Sequence, residues 1–247
     1  MKHAFMITSA INVDLGIFKP EDRLVQTLLT IHSIKAKVPD AKIILIESAP
    51  KPLNNRQSAL ILNAADLLID CTDDTEVKEI YTTEEWALVN NSKFSRQDII
   101  KNLIEPTCFL TALKMCVEDN DFDGIDRVHK ISGRYILNDN FKLNRYELLP
   151  DRIIIANRQK SQFPLFVNGI DTQYMSRLWS WPAKETDKVI NTYTEGLAFI
   201  KKCIDSGLAY CDMEHMLYKF LPPDLITEFA KIGVEGGLAP NGSVVSD

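Results

Sequence analysis

Two cations four residues apart, Lys130 and Arg134, are the side chains of this sequence best spaced to hold an anion. They belong to the stretch Arg127-Val-His-Lys-Ile-Ser-Gly-Arg-Tyr-Ile-Leu-Asn-Asp-Asn-Phe141, which opens like a buried strand and runs into a polar turn at Gly133. In a strand, positions i and i+4 share a face. Two cations delivered together to a glycine turn would suit a phosphate; the alternative is an ordinary strand with solvated charges. Acids flank the stretch, with Glu118, Asp119, Asp121, Asp123 and Asp126 before it, Asp139 at its end and Asp151 after it. Further on, Lys93 and Arg96 in the polar run from Asn90 to Arg96 are possible phosphate contacts on a loop that would cap the site, or solvated charges on a surface loop. The five cysteines are odd in number and widely spaced, and the four histidines are scattered. Cys211 and His215 form the one close pair, which is too few for a structural zinc site.

The elements that must carry these residues follow from hydrophobic periodicity. Residues 4–11 read as a central strand buried on both faces, ending in Thr8, Ser9 and Ala10. An amphipathic helix over Arg23–Lys37 follows, with Pro20, Glu21 and Asp22 as an acidic lead and Pro39 as its stop. Lys42–Ser48 is a second buried strand ending at Glu47, Asn54–Leu67 a second helix and Leu67–Cys71 a third strand. This β-α-β-α-β order predicts a doubly wound, mostly parallel sheet with its strand ends on one edge. Residues 72–98 break the pattern. Gln97–Val117 is a long helix that Pro106 could interrupt. After the Lys130 stretch, strands are expected at Arg152–Ala156, Phe163–Asn168 and Tyr174–Trp181, giving a smaller mixed sheet. Trp179 and Trp181 could stack on a sugar or base, though core packing suits them better. Helices over residues 185–207 and Asp212–Leu221, the second capped by Asp212, and a glycine-rich tail with a final short strand complete the chain.

Composition sets the outer bounds. The chain has 247 residues, 45% apolar and 25% charged, which suits a single α/β domain with a full core. We read it as one domain, 1–247, with a nucleotide-binding half (1–126) and an acceptor half (127–247). A net charge of −6 and a pI near 5.3 argue against general attraction to nucleic acid or anionic membrane. No apolar run reaches the length of a membrane helix, and the cysteine pattern fits a reducing, cytoplasmic setting. Neither a dinucleotide fingerprint nor a P-loop is present; Asn12–Lys19 contributes only Gly16 and Lys19.

Taken in order, several segments resemble a GT-A-type glycosyltransferase family of the kind found in bacterial surface-polysaccharide loci and in some large DNA phages. They are the strand ending Thr8-Ser9-Ala10, Arg23–Ile34 with Pro39 and Lys42–Glu47, Asn91-Ser-Lys93, Lys130-Ile-Ser-Gly-Arg-Tyr135, and Glu214 with Leu217-Tyr218. The resemblance implies a Rossmann-like GT-A fold and a nucleotide-sugar donor, a UDP-sugar first, held by Thr8, Ser9, Ala10, Arg23, Glu47, Lys93, Lys130, Ser132, Gly133 and Arg134. It also implies an Asp-X-Asp pair binding Mn²⁺ or Mg²⁺ just after the later strand. This sequence departs there, with Ser132-Gly133-Arg134 at that position. Its own Asp121-Phe-Asp123 precedes the strand and reads as surface acid; Asp139 is the remaining candidate ligand. Lys130 and Arg134 would then stabilise the leaving diphosphate in place of a metal. An inverting transferase needs a base for the acceptor hydroxyl, for which Glu214 comes first, then Asp212 and His215, with helix capping the alternative for Asp212. The acceptor would be a saccharide, or a modified DNA base such as hydroxymethylcytosine if Lys93, Arg96, Arg158, Lys160 and Arg177 formed a basic groove. A non-catalytic GT-A-like binding protein and a nucleotidyltransferase are the competing readings.

Overall fold

The structure is a computed structural model that describes residues 1–13, 16–82, 96–206, 210–237 and 242–247, with Arg96 described in its backbone alone. Its centre is a seven-stranded sheet. The strands are β1 (His3–Ser9), β2 (Lys42–Glu47), β3 (Leu67–Asp70), β4 (Arg127–Ser132), β6 (Ile153–Ala156), β9 (Leu178–Pro182) and β10 (Ile226–Phe229), in the order β10-β6-β9-β4-β1-β2-β3. β1 lies between β2 and β4 and is parallel to both. β9 is antiparallel to its two neighbours, β4 and β6. The mostly parallel α/β architecture is the one the β-α-β-α-β pattern predicts.

Period-two alternation divides the core between two helical layers. Ala4 and Met6 face one way, with Ile44 and Ile46, towards α3 (Thr75–Thr82), α4 (Arg96–Glu118), α6 (Thr186–Asp205) and α7 (Met213–Phe220). Phe5 and Ile7 face the other way, with Ile43 and Leu45, towards α1 (Pro20–Lys37) and α2 (Asn55–Ala64). Pro20 at the first turn and Glu21 and Asp22 beside it suit the start of α1, where spare N–H groups and the helix dipole favour acid. The small strands β5 (Tyr135–Leu137), β11 (Val234–Gly237) and β12 (Val244–Ser246) form an antiparallel sheet that ties the tail to the turn after β4. The helix α5 (Leu143–Glu147) and the two-residue strands β7 (Gln159–Lys160) and β8 (Thr172–Gln173) complete the elements.

Four local expectations change. Residues 72–98 are not wholly irregular, since α3 occupies Thr75–Thr82 with Val77 and Ile80 buried. Pro106 does not end α4, which continues to Glu118 with Leu103, Phe109 and Leu113 buried. Phe163–Asn168 is no strand: Pro164 withholds an N–H and a short 3-10 turn forms at Leu165–Val167. The third strand of that region begins at Leu178 rather than Tyr174. Trp179 and Trp181 on it are fully buried against Phe109 and Tyr193, so they serve the core. The proposed capping loop around Asn90–Arg96 and the helix stop at Gly207 lie outside the described residues, except for the backbone of Arg96.

Candidate active site

A cavity of about 210 Å³ opens where β1 and β4 end. That is the crevice beyond the carboxyl ends of a parallel sheet, where such folds meet ligands. Thr8, Ser9 and Ala10 bring β1 to it, and Ser132, Gly133 and Arg134 bring β4. Arg23 and Thr27 reach it from α1, Tyr81 from α3, and Lys101 and Glu105 from α4. Gly133 donates its N–H to the Thr8 carbonyl at 2.8 Å. A Cβ at Gly133 would stand 3.1 Å from Thr27 Oγ1 and 3.3 Å from that carbonyl, so the turn is tight enough to favour glycine.

The cavity carries cationic groups. Arg134 Nη1 is buried and has no hydrogen-bond partner among the described residues. Arg23 donates from Nε to the Phe18 carbonyl at 3.1 Å and from Nη1 to the Ala10 carbonyl at 3.3 Å, fixing the backbone after β1. Burial, and then the Arg134 guanidinium, hold the Arg23 pKa below its ordinary value. Both guanidinium-bearing residues thus line the cavity beside the strand ends, and each cation disfavours the other. Lys101, an exposed residue of α4, lines the same cavity.

Lys130 has another position. The strand ends at Ser132 and the chain turns there, with Arg134 N–H donating to the Ser132 carbonyl at 2.8 Å, so the shared strand face expected for Lys130 and Arg134 is lost. Lys130 is fully buried and spends its ammonium on Glu105 Oε1 at 2.7 Å, Ser132 Oγ at 3.0 Å and the Ser176 carbonyl at 3.0 Å. Glu105 also accepts from Thr8 Oγ1 at 2.9 Å. Burial alone would raise the Glu105 carboxyl, but the Lys130 charge and hydrogen bond, with help from Lys101 and Thr8, bring it down to about 2. Glu47 lies beneath the other side of β1, fully buried, accepting from Ser9 Oγ at 2.5 Å and from the N–H groups of Ile11 at 2.8 Å and Ala49 at 3.1 Å. With no cation bonded to it, burial pushes its pKa up to about 7 against those hydrogen bonds. Glu47 therefore shapes the loop after β1 from below and is not part of the cavity lining.

From Lys130 the hydrogen bonds continue to α7. Ser176, whose carbonyl Lys130 holds, donates its Oγ to Glu214 Oε1 at 2.7 Å. Burial, and then the neighbouring Asp212, push the Glu214 carboxyl above the usual carboxylate range, while Lys101 and the Ser176 hydrogen bond pull it back. Glu214 is therefore within electrostatic reach of two residues that line the cavity, Lys101 and Glu105. Asp212 is the N-cap of α7: Oδ1 accepts from the His215 N–H at 3.0 Å and from His215 Nδ1 at 2.5 Å. His215 is fully buried, and its Nε2 meets Ser161 Oγ at 2.7 Å. Asp212 and His215 thus clasp the loop after β7 to the start of α7.

Of the donor residues read from sequence, the fold brings Thr8, Ser9, Ala10, Arg23, Ser132, Gly133 and Arg134 to one cavity and places Glu47 and Lys130 behind it. Lys93 lies outside the described residues. Asp139 is 99% exposed and paired with Lys37 at 2.6 Å, away from the cavity lining. Asp121 pairs with Lys42 at 2.6 Å, at the opening of β2 and so at the opposite edge of the sheet. Among the described residues no group of three His, Cys, Asp or Glu side chains could hold a metal ion. The end of β4 offers a hydroxyl, a glycine and a guanidinium, which do not fit a divalent cation. Sequence reasoning missed Thr27, Tyr81, Lys101 and Glu105. Glu105 had left a signal: an acid between Ile104 and Pro106 on an apolar helical face needs a buried partner.

No family model matches this chain, and no curated protein sequence matches it. Solved structures do. The fold is that of GT-A glycosyltransferases, a mostly parallel α/β sheet flanked by helices. Core-mannan synthase A from Aspergillus fumigatus, in a Mn/GDP form, matches with a TM-score of 0.57 at 8% identity over 98% of this chain and 77% of that one. The galactosyltransferase LgtC, in complex with donor and acceptor sugar analogs, gives 0.47 at 11% identity, over 92% and 73%. Mouse xyloside xylosyltransferase 1 gives 0.43 at 11%, over 92% and 84%.

Proposed function

We propose that this protein is a nucleotide-sugar-dependent glycosyltransferase that acts on a saccharide. The observation that carries the proposal is Arg134, with a buried guanidinium nitrogen that has no hydrogen-bond partner among the described residues, in a cavity it shares with Arg23 at the ends of β1 and β4. A nucleoside diphosphate is an anion of suitable chemistry for such a pair, and arginine suits its paired oxygens. As the bond from the anomeric carbon to the phosphate oxygen breaks, negative charge grows on the leaving diphosphate. Fixed cations aimed there stabilise the transition state. Arg134, Arg23 and Lys101 are assigned that role. Lys130 is a positioning residue that neutralises Glu105, and through it Thr8. Glu214 is the base for the acceptor hydroxyl, its raised pKa bringing it nearer to neutrality.

A UDP-sugar is the first donor to test, with GDP-, CMP- and dTDP-sugars beside it, since the Mn/GDP form belongs to the fold neighbour. No Mn²⁺ or Mg²⁺ step is assigned, because the residues at the end of β4 do not suit one. Turnover that survives excess EDTA supports this, and complete loss restored by Mn²⁺ overturns it. A net charge of −6 favours a saccharide acceptor over hydroxymethylcytosine in DNA. No described helix is long and apolar enough to cross a membrane. All five cysteines are buried and unbridged, which suits the reducing cytoplasm.

Thermal shift against the nucleotide-sugar panel tests donor binding, because a bound donor raises the melting temperature by mass action. The expected result is a shift with one nucleotide class that Arg134→Ala abolishes. Glu214→Gln should cost about 10²–10⁴-fold in turnover with donor binding intact; a loss under about tenfold removes the base assignment. The second reading is a GT-A-like protein that binds a nucleotide or sugar without catalysis. Ser132-Gly133-Arg134 in place of an acidic pair favours it. Donor binding without turnover on any saccharide would select it.

A further inference from the structure

A second cavity, of about 500 Å³, lies over the edge strand β10 and the far end of α7. Its chemistry is concentrated in Arg158, Glu228, Tyr174 and Tyr218. Glu228 Oε1 accepts from Arg158 Nε at 2.7 Å and from the Tyr174 hydroxyl at 2.9 Å, and Oε2 accepts from the Arg158 N–H at 3.1 Å. The Tyr174 and Tyr218 rings stand 5.4 Å apart at 56°. Arg158 is still 58% exposed, at the mouth of the cavity. Fixed charged groups beside aromatic faces offer directional hydrogen bonds to hydroxyls and an apolar wall for a ring's C–H face.

The position of this cavity decides its use. Glu214 and Tyr218 are i and i+4 on α7, on one face and about 6 Å apart along the axis. The Tyr174 N–H donates to the Glu214 carbonyl at 3.2 Å, and Ser176, two residues on, donates to the Glu214 carboxylate. One helix and one short segment therefore join the second cavity to the Glu214 carboxylate, and through Ser176 to Lys130 behind the first cavity. We propose that this second cavity is a saccharide subsite that grips the non-reacting end of an extended acceptor while its reactive hydroxyl lies at Glu214. Arg158 and Glu228 balance each other, and Lys219, the other charged residue of the lining, sets its ammonium over the Phe199 and Phe220 rings, so the hydrogen-bonding pair suits neutral sugar units. The proposal rests on the transferase reading for its purpose, but its binding chemistry is separable from it.

The test is ¹H–¹⁵N chemical-shift mapping of the full chain titrated with maltose, lactose, mannobiose and chitobiose to about 50 mM, which fills a millimolar site. At least one disaccharide should move the amides of Tyr174, Tyr218 and Glu228 and saturate. Arg158→Ala, at an exposed position, should weaken that binding about tenfold or more, and Tyr218→Ala should do the same. No saturable shift with any disaccharide, shifts confined to the Thr8–Arg134 cavity, or wild-type binding by both variants would overturn the proposal. A missing nucleotide response in the thermal-shift panel would instead count against the transferase reading and leave the disaccharide result standing.

Discussion

Two glutamates, one buried and one partly buried, lie under the end of β1, one on each side, and their protons behave in opposite ways. Glu47, on the β2 side, is held by a hydroxyl and two backbone N–H groups, and its pKa rises to about 7. Glu105, on the β4 side, is held by Lys130 and Thr8, and its pKa falls to about 2. Burial pushes both upward. What mainly separates them is the Lys130 ammonium in direct contact with Glu105, whose charge and hydrogen bond outweigh burial there. The β2 side can thus take up a proton near neutrality, while the β4 side is a fixed ion pair, and Arg134, two residues past the end of β4, has a buried Nη1 with no hydrogen-bond partner among the described residues.

Breaking the ion pair should have the largest effect. Lys130→Met leaves Glu105 partly buried without its cation and should destabilise the fold by about 3–5 kcal/mol in chemical denaturation. Adding Glu105→Gln should recover most of that loss. A double variant as unstable as Lys130→Met alone would mean that packing, not charge, accounts for the cost.

Glu47 gives the opposite dependence on pH. Its folded pKa is raised, so its contribution is whole below the unfolded carboxylate pKa near 4.5 and is lost as pH rises through about 7. The loss is on the order of 3 kcal/mol. Glu105, with a depressed pKa, contributes fully above about 4.5 and loses that contribution as pH falls towards 2. Glu47→Gln can accept from Ile11 and Ala49 through its amide oxygen and donate to Ser9. Its stability should match wild type near pH 4 and exceed it above about pH 8. An unchanged slope between those values would remove Glu47 as the titrating group.

Arg134→Ala should leave stability nearly unchanged and weaken nucleotide-sugar affinity about tenfold to a hundredfold, as for the loss of a charged hydrogen bond. Calorimetry reads this directly. If Lys130→Met, assayed under conditions where it stays folded, weakened the donor as much as Arg134→Ala, the division between structural and ligand-facing cations would fail.

Much of this arrangement was legible before the fold was known. Buried runs such as Lys42–Glu47 fixed the parallel strands, and the strand ends Thr8–Ala10 and Ser132–Arg134 pointed to the cavity. The face of Lys130 was not legible, because one residue of turn at Ser132 decides whether i and i+4 point together. Glu105 escaped because its place on an apolar helical face says that it needs a partner but not which one, and that partner is 25 residues away. Short edge elements such as β10 and α5 carried too few apolar positions to show a period.

The smallest expected effect belongs to Asp139, and it tests the metal question from the other side. Asp139 stands in solvent, paired with the side chain of Lys37. That pair, and then the charge of Lys142, lower its pKa, so it is a carboxylate at neutral pH and chemically able to bind Mn²⁺. Geometry denies it the role: it follows β5, beyond the turn that carries Arg134, and does not line the cavity. Exposed pairs of this kind contribute little to stability. Asp139→Asn should therefore match wild type in melting temperature, donor affinity and turnover, with and without Mn²⁺. A Mn²⁺-dependent turnover that this variant abolished would place a cation where the ends of β1 and β4 offer it no ligands, and Arg134 would lose its standing as the group that meets the diphosphate.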